Sequence, residues 1–329
     1  MMNRRAFLGG LTMMLVVPMT AEGQQAGKIW RIGVLGGSPP TTPEASRPWE
    51  ALMLGLRELG YNEGQNLAVE RRWAEGRAER YHALAEELVA WKPDVIVAAT
   101  TPSVSAAKRA TSTIPIVMTL TGDAVGAGLV ASLARPGGNI TGMSLQNSPE
   151  LAGKRLELLK EAVPSLSRVG FLVNKRLPHR AVLWADLERT ALVVGVKLQS
   201  FEVSGPEDFA GGLTAKASET FQAVVVHADP LAFNHRREIA EFGLKKKMPI
   251  MADYGFAEAG CLMSFGAFWP DLFRRSAIYV DKILKGAKPA DLPVEQPTKF
   301  QLIINMKTAQ TIGLTIPQTL LLRADQVIQ

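Results

Sequence analysis

Small polar residues, glycines and a few carboxylates directly follow the apolar strands that the sequence predicts. In an open parallel sheet, ligands bind outside the carboxyl ends of the strands, where helix N-termini offer unpaired N–H groups. These residue types can hold a small polar or aromatic molecule, and they offer little that could catalyse a reaction. The strand-end residues are Gly36, Gly37, Ser38, Thr100, Thr101, Pro102, Ser103, Gly122, Asp123, Asn174, His227, Asp229, Asp253, Tyr254 and Gly255.

Two aspartates at strand ends have two alternative roles. Asp123 and Asp229 each come just after a strand, one in each half of the chain. Either carboxylate could cap the helix that follows it, which is a usual role of Asp there. Alternatively, one of them pairs with an amine of the ligand. The hydroxyls of Thr100, Thr101 and Ser103 leave a similar choice between capping a helix and donating to a ligand carboxylate.

Signatures of catalysis and of cofactor binding are missing from the sequence. The segment Gly33–Ser38 resembles a dinucleotide-binding loop only superficially, because the G-x-G-x-x-G spacing is absent. No P-loop, H-E-x-x-H or G-x-S-x-G pattern occurs. His227 beside Asp229 is the pair on which an enzyme could be built, and a hydrogen-bonded structural histidine is the alternative for His227. We therefore expect no catalytic residue, no cofactor and no metal site.

Short apolar strands alternate with segments of helical spacing along almost the whole chain, and these elements must position the strand-end residues. This alternation predicts an α/β fold whose parallel sheets are covered by helices on both faces. It predicts two doubly wound lobes with three crossings, lobe 1 comprising residues 28–145 and 267–287 and lobe 2 comprising residues 146–266 and 288–329. The predicted helices include Trp49–Gly60, Pro206–Thr220 and Leu231–Lys247.

Length and composition are those of a globular protein. The 329 residues can form two domains, and 47% of them are hydrophobic and 21% charged, with no signature of disorder. The net charge of +6 is scattered, and the basic run Lys245–Lys247 ends a predicted helix, so we expect no binding to nucleic acid. The single cysteine, Cys261, excludes an intramolecular disulfide and a zinc site built on cysteines.

The N-terminal segment has the three parts of an export signal. Arg4 and Arg5 form a basic head, Ala6–Val17 is apolar, and small residues follow up to Ala21. The apolar part is too short for a membrane span, so residues 1–24 are predicted to be a cleaved signal peptide. The run Asn3–Leu8 also matches a twin-arginine signal. The mature protein is therefore expected outside the cytoplasm, in the periplasm.

Several long motifs in a fixed order resemble one family. They are Gly60–Leu67, Ala110–Val117, Leu133–Gly142, Gly153–Lys160 and Ala287–Thr298. With these motifs the chain resembles the uncharacterised substrate-binding proteins of ABC transporters, which are related to binding proteins for tryptophan and tyrosine. The resemblance covers nearly the whole mature chain.

The resemblance implies a type I periplasmic-binding-protein fold and a function. Two lobes would close around a small molecule, and the loaded protein, a monomer, would deliver it to a membrane permease with its ATPase. Two alternatives are a ligand-sensing module of a membrane receptor and an exported α/β enzyme. The ligand-binding residues implied by the resemblance are Gly36, Gly37, Ser38, Thr100, Thr101, Pro102, Ser103, Gly122 and Asp123 from lobe 1, and Asn174, Asp229, Tyr254 and Phe265 from lobe 2.

This sequence departs from the usual family pattern near the expected cleft. Ala124 stands where proline is usual, and Phe265-Gly266-Ala267 replaces Tyr-Gly-Pro. Phe268 and Trp269 follow in a region that is normally more polar. The changes make the cleft more apolar, and we expect the ligand to be an amino acid or an aromatic or apolar carboxylate.

Overall fold

The protein folds into two α/β lobes with a cleft between them, as the alternating pattern predicts. A computed structural model describes residues 28–145, 149–177, 180–209, 213, 221–227 and 229–329. The predicted signal peptide lies outside these residues, as does most of the second half of the predicted helix Pro206–Thr220. No helix in the described ranges is both long enough and apolar enough to cross a membrane.

Lobe 1 is built on a five-stranded parallel sheet in the order β2-β1-β3-β4-β5. Its central strands are buried on both faces, which is why they consist almost entirely of apolar residues. Its strands are β1 Trp30–Gly36, β2 Leu67–Trp73, β3 Val95–Thr100, β4 Ile116–Thr121 and β5 Ile140–Ser144, and its helices are α1 Pro43–Glu58, α2 Tyr81–Ala90 and α3 Thr101–Ala110.

Lobe 2 is built on a seven-stranded sheet in the order β12-β11-β10-β9-β8-β6-β7. Helices flank this sheet on both faces, around two cores of buried apolar side chains. The strands are β6 Arg168–Asn174, β7 Lys197–Val203, β8 Ala223–Val226, β9 Ile250–Ala252, β10 Met263–Ala267, β11 Phe300–Asn305 and β12 Gln326–Ile328, and the helices are α4 Pro149–Ala162, α5 Arg180–Val194, α6 Pro230–Asn234, α7 Arg236–Lys245, α9 Met306–Ile312 and α10 Gln318–Leu321.

Helix α8, Trp269–Leu284, comes late in the chain but packs on the sheet of lobe 1. Its closest neighbour is α1, and Gly55 permits the contact, because a Cβ there would lie 2.9 Å from Cβ of Ala277. Leu52, Leu56 and Phe273 are buried in the same core. The N-terminal ends of α1 and α8 are thereby held beside each other at the cleft.

The predicted parallel arrangement has one exception among the described strands, a single antiparallel pair in lobe 2. Strands β10 and β11 are antiparallel, with Ala267 opposite Phe300. The chain leaves lobe 2 after β10, forms α8 in lobe 1 and re-enters lobe 2 as β11. Both crossings lie at the same edge of the sheet, so the second strand has to run opposite to the first.

Two predicted helices have different bounds in the structure. Helix α1 begins at Pro43 rather than Trp49, since a proline in the first turn costs no hydrogen bond. The predicted helix Leu231–Lys247 is divided at His235 into α6 and α7. The His235 ring stacks on Phe209, with 4.5 Å between ring centroids, and this contact stabilises the boundary between the two helices.

The segment after α8 packs on lobe 1 before the chain crosses to lobe 2. The carbonyl of Leu292 accepts a hydrogen bond from the Thr141 hydroxyl, and the Glu295 N–H donates to the Gly142 carbonyl. Val294 is buried in the core of lobe 1. The sequence assigned residues 288–329 to lobe 2 as a whole, whereas the residues up to Glu295 lie against lobe 1.

Candidate functional site

A cavity of about 730 Å³ lies between the lobes at the carboxyl ends of the strands. Its size is within the usual range for small-molecule sites. The wall is formed mainly by loops and helix N-termini of both lobes, and most of its side chains are apolar. Its described residues are Gly37, Ser38, Glu44, Ala45, Pro48, Trp49, Ala99, Thr100, Thr101, Pro102, Ser105, Leu120, Gly122, Asp123, Gly126, Ala127, Leu145, Leu177, His227, Asp229, Pro230, Phe233, Asn234, Trp269 and Phe273.

The structure brings many of the predicted site residues into this wall. From lobe 1 these are Gly37, Ser38, Thr100, Thr101, Pro102, Gly122 and Asp123, and from lobe 2 Asp229. They meet there because parallel strands present their carboxyl ends at the same edge of a sheet.

Five predicted residues lie outside the wall. Gly36 faces the Trp73 ring, Ser103 is fully buried under Thr100, and Asn174 lies behind Asp229. Tyr254 is buried and stacks on Trp269, with 5.0 Å between ring centroids. Phe265 packs in the core of lobe 2 and stacks on Phe300.

The aromatic part of the wall could be predicted only in part from the sequence. Trp49 packs edge-to-face on Trp73 and Phe273, with centroid distances of 5.1 and 4.7 Å. Phe233 of lobe 2 lies 4.8 Å from Trp269 across the cleft. Phe268 and Trp269 at the start of a helical pattern were the available signal, and they indicated only an apolar cleft. The wall aromatics are Trp49, Phe233, Trp269 and Phe273.

Asp229 is a half-buried carboxylate in the wall and also the cap of α6. Its Oδ1 accepts a hydrogen bond of 2.8 Å from the Ala232 N–H, and its Oδ2 accepts one of 2.6 Å from Asn174 Nδ2. Burial raises the pKa of Asp229 above its ordinary value, and these hydrogen bonds oppose the shift only in part. The capping role is thus observed, and the ionised carboxylate still lacks a cation among the described residues. An amine of a ligand could supply this charge.

Asp123 has a different environment. It is exposed, and its Oδ1 accepts hydrogen bonds of 3.1 and 2.8 Å from the N–H groups of Val125 and Gly126. The carboxylate therefore stabilises its own turn at the mouth of the cavity. Of the two aspartates, Asp229 is the better placed to bind a charged group away from water.

The hydroxyls at the N-terminus of α3 are used mainly within the protein. Thr100 and Ser103 form a capping box, in which the Thr100 N–H donates to Ser103 Oγ at 2.8 Å. Thr101 Oγ1 accepts a hydrogen bond of 3.1 Å from the Gly122 N–H, which leaves its hydroxyl proton for a ligand. Pro102 has no N–H to offer.

An ion pair links the lobes beside the cavity. The guanidinium of Arg236 in lobe 2 donates to Thr42 Oγ1 at 2.6 Å and lies 3.4 Å from a carboxylate oxygen of Glu44 in lobe 1. Both charged residues are buried. Burial favours a raised pKa for Glu44, but the Thr42 hydrogen bond and the charge of Arg236 outweigh it and lower the pKa. The pair exists only when the lobes are in contact.

We expect Gly36→Ala to destabilise the protein by about 1–3 kcal/mol, because the site has no room for another methyl group. A Cβ on Gly36 would collide with the Trp73 ring and lie 3.1 Å from the ring of Trp49. Chemical denaturation measures the loss. Gly138→Ala is the matched control, since a Cβ there meets nothing within 4 Å. Equal stability of both variants would contradict the packing at Gly36.

These features define a class of protein: a two-lobed binder that encloses a small molecule where the strands of both sheets end. Residues 45–328 match the family model described as ABC transporter substrate binding protein. The chain belongs to this family, as the sequence motifs predicted. The family is one of solute-binding proteins rather than enzymes, so the alternative of a catalytic pair at His227 and Asp229 is not supported.

Known proteins resemble the chain in sequence and in structure. A tyrosine-binding protein of Clostridioides difficile (strain R20291) is 26% identical over 273 residues, which cover 83% of this chain and 78% of that protein. The ABC domain in complex with L-Trp from Streptococcus pneumonia is 29% identical, with a TM-score of 0.83 over 91% of this chain and 99% of that one.

A further structure bears on the state of the cleft. It is the ligand-free, open structure of a substrate binding protein with adhesive properties from Clostridium difficile. That protein is 25% identical to this chain, and the TM-score is 0.66 over 92% of this chain and 100% of that chain. This TM-score is lower than the value of 0.83 obtained with the L-Trp complex. The lower similarity to an open structure agrees with the contacts that Arg236 and Phe233 make across the cleft, because such contacts need closed lobes.

Proposed function

We propose that the protein is the exported solute-binding component of an ABC importer and that it captures a small molecule with an amine and an aromatic or apolar body, such as an amino acid. The observation that supports this most is the position of the half-buried Asp229 carboxylate, whose pKa is raised by partial removal from water, in a wall lined by Trp49, Phe233 and Trp269. The carboxylate suits an ammonium group and the rings suit an apolar body. The tyrosine-binding and L-Trp-bound relatives agree with such a ligand.

Binding operates by closure of the two lobes. In the open state, the wall residues of both lobes and the charges of Glu44 and Arg236 face water. A ligand that contacts both lobes favours the closed state by as much as its affinities for the two states differ. A preference of ~10⁴-fold moves the population from almost entirely open to almost entirely closed. The permease, with its ATPase partner, then recognises the surface of the closed, loaded protein.

The proposal includes export to the periplasm. Residues 1–24 have the basic, apolar and small-residue parts of a signal peptide, and Arg4-Arg5 fits the twin-arginine route as well as the general one. A substrate-binding protein of this family has its function outside the cytoplasm, where it meets the solute. Within the described residues the protein has no cluster of His, Cys, Asp and Glu that could hold a metal ion.

Intrinsic fluorescence is expected to report ligand binding, because Trp49 and Trp269 line the cavity. In a screen of amino acids and aromatic acids, a true ligand should change the emission and raise the melting temperature by mass action. Trp269→Phe should reduce the emission change. Trp91→Phe is the control, since Trp91 lies under Arg31 on lobe 1, outside the wall. Absence of any ligand from the whole screen, or turnover of one of its compounds, would count against the proposal.

A further inference from the structure

The charges of the cavity wall are strongly unbalanced. Three carboxylates belong to it, those of Glu44, Asp123 and Asp229, whereas the described part of the wall contains no Lys and no Arg, and His227 is its one basic side chain. Arg236, a buried cation beside the cavity, already binds Glu44 and Thr42 and donates a hydrogen bond of 2.8 Å to the carbonyl of Phe233. A carboxylate buried here without a cation would lose its hydration and gain little in return.

Helix N-termini are the other common sites for a carboxylate, and at this cavity their capacity is reduced. All four helices that begin at the wall, α1, α3, α6 and α8, have a proline in the first two positions and so lack one N–H donor each. Glu44, Asp229 and Asp271 already place an acidic group in or at the first turn of α1, α6 and α8. At α3 the capping box uses the Thr100 N–H.

The remaining side-chain donors of the described wall include neutral groups. They are the hydroxyls of Thr101 and Ser105, the amide of Asn234 and the indole N–H of Trp269, beside the ring of His227. For the Trp269 N–H the described residues provide no hydrogen-bond partner. Neutral donors suit a hydroxyl or an amide oxygen. In α1, Pro48 also lacks the N–H that would bond the Glu44 carbonyl, which leaves another acceptor at this wall.

The aromatic side chains favour a cation as well. Trp49, Phe233, Trp269 and Phe273 line the same cavity as the three carboxylates. Aromatic faces attract ammonium groups, most strongly when water is excluded. A carboxylate near the same faces is repelled by their negative potential.

We infer that the cavity selects an aromatic amine with a net positive charge, an arylalkylamine, and that a ligand carboxylate weakens binding instead of contributing to it. This inference rests on the proposed function, that of a small-molecule binder, and specifies the chemical class of its ligand. It separates this chain from the L-Trp-bound structure that it resembles.

Four indole compounds test the inference, because they share one ring and differ in charge. Affinities of tryptamine, L-tryptophanamide, L-tryptophan and indole-3-propionate are measured by isothermal titration calorimetry with the mature protein. Tryptamine and L-tryptophanamide should bind at least about tenfold more tightly than L-tryptophan, and indole-3-propionate should not bind measurably. L-tryptophanamide matches L-tryptophan in size, so their difference reports the carboxylate alone.

A variant shows whether the wall causes the preference. In Asp229→Asn the preference for L-tryptophanamide over L-tryptophan should shrink, whereas Asp291→Asn, on an exposed turn outside the cavity, should keep it. L-tryptophan binding as tightly as the amide would overturn the inference and leave the proposed function intact. The inference is also overturned, and the proposed function kept, if none of the four compounds binds while another amino acid or aromatic acid of the broad screen does. If no compound of the broad screen binds either, both the inference and the proposed function are contradicted.

Discussion

Asp229→Asn is expected to weaken ligand binding by about 10- to 100-fold while changing the stability of the free protein by no more than about 1 kcal/mol. The variant removes the negative charge that pairs with the ligand amine. It keeps an oxygen that can cap α6, since Asn is as good an N-cap as Asp, and it loses the hydrogen bond that Asn174 donates to the second carboxylate oxygen. Burial raises the pKa of Asp229, so the ionised form costs folding free energy that the neutral amide does not.

The pH dependence of this effect has a definite sign. Because the folded-state pKa of Asp229 is raised, its contribution to stability is present at low pH and is lost as the pH rises through that pKa. The affinity for an amine changes in the opposite direction: it falls as the pH falls through the same pKa, because the carboxylate is protonated. Affinity measured from neutral to mildly acidic pH should therefore decline in the parent protein and stay flatter in Asp229→Asn.

A control separates binding from helix capping. Asn305 caps α9 by accepting a hydrogen bond of 3.0 Å from the Thr308 N–H, and it lies outside the cavity wall. Asn305→Ala should lower the melting temperature and leave the ligand affinity unchanged, the reverse of the result expected for Asp229→Asn. If Asp229→Asn binds normally, Asp229 has only the capping role.

Arg236→Met is expected to lower the ligand affinity by about 10- to 100-fold although Arg236 does not line the cavity. In the closed state the change leaves the buried Glu44 carboxylate without its cation, whereas in the open state water solvates Glu44. The closed state becomes rarer, and the apparent affinity falls with the fraction of binding-competent molecules. Small-angle scattering of the free and ligand-bound protein, together with calorimetry, measures both quantities.

Two further variants sharpen this result. Arg237→Met changes the neighbouring arginine, which is exposed, and should bind ligand as the parent protein does. Adding Glu44→Gln to Arg236→Met should restore part of the closed population, because the uncompensated charge is then gone. Equal losses in Arg236→Met and Arg237→Met would show an unspecific effect of charge and contradict the role of the pair.

The wall residues that the sequence could predict are those at strand ends. Strands of apolar residues followed by Thr100, Gly122 or Asp229 predict both the α/β fold and the edge at which a ligand binds, since the geometry of parallel sheets fixes that edge. It was harder to predict which residues within the strands face the cavity. Gly36 ends β1 facing Trp73, and Phe265 faces the core of lobe 2, because successive strand residues point to opposite faces.

Local patterns of polarity and motifs along the chain were sufficient to predict two α/β lobes, the family and the strand ends that line the cavity. The aromatic rings that close the cavity and the charges that link the lobes depend on contacts between segments far apart in the chain. Arg236 and Glu44, for example, are 192 positions apart. Contacts between such distant segments depend on how the two lobes close, which no local pattern records.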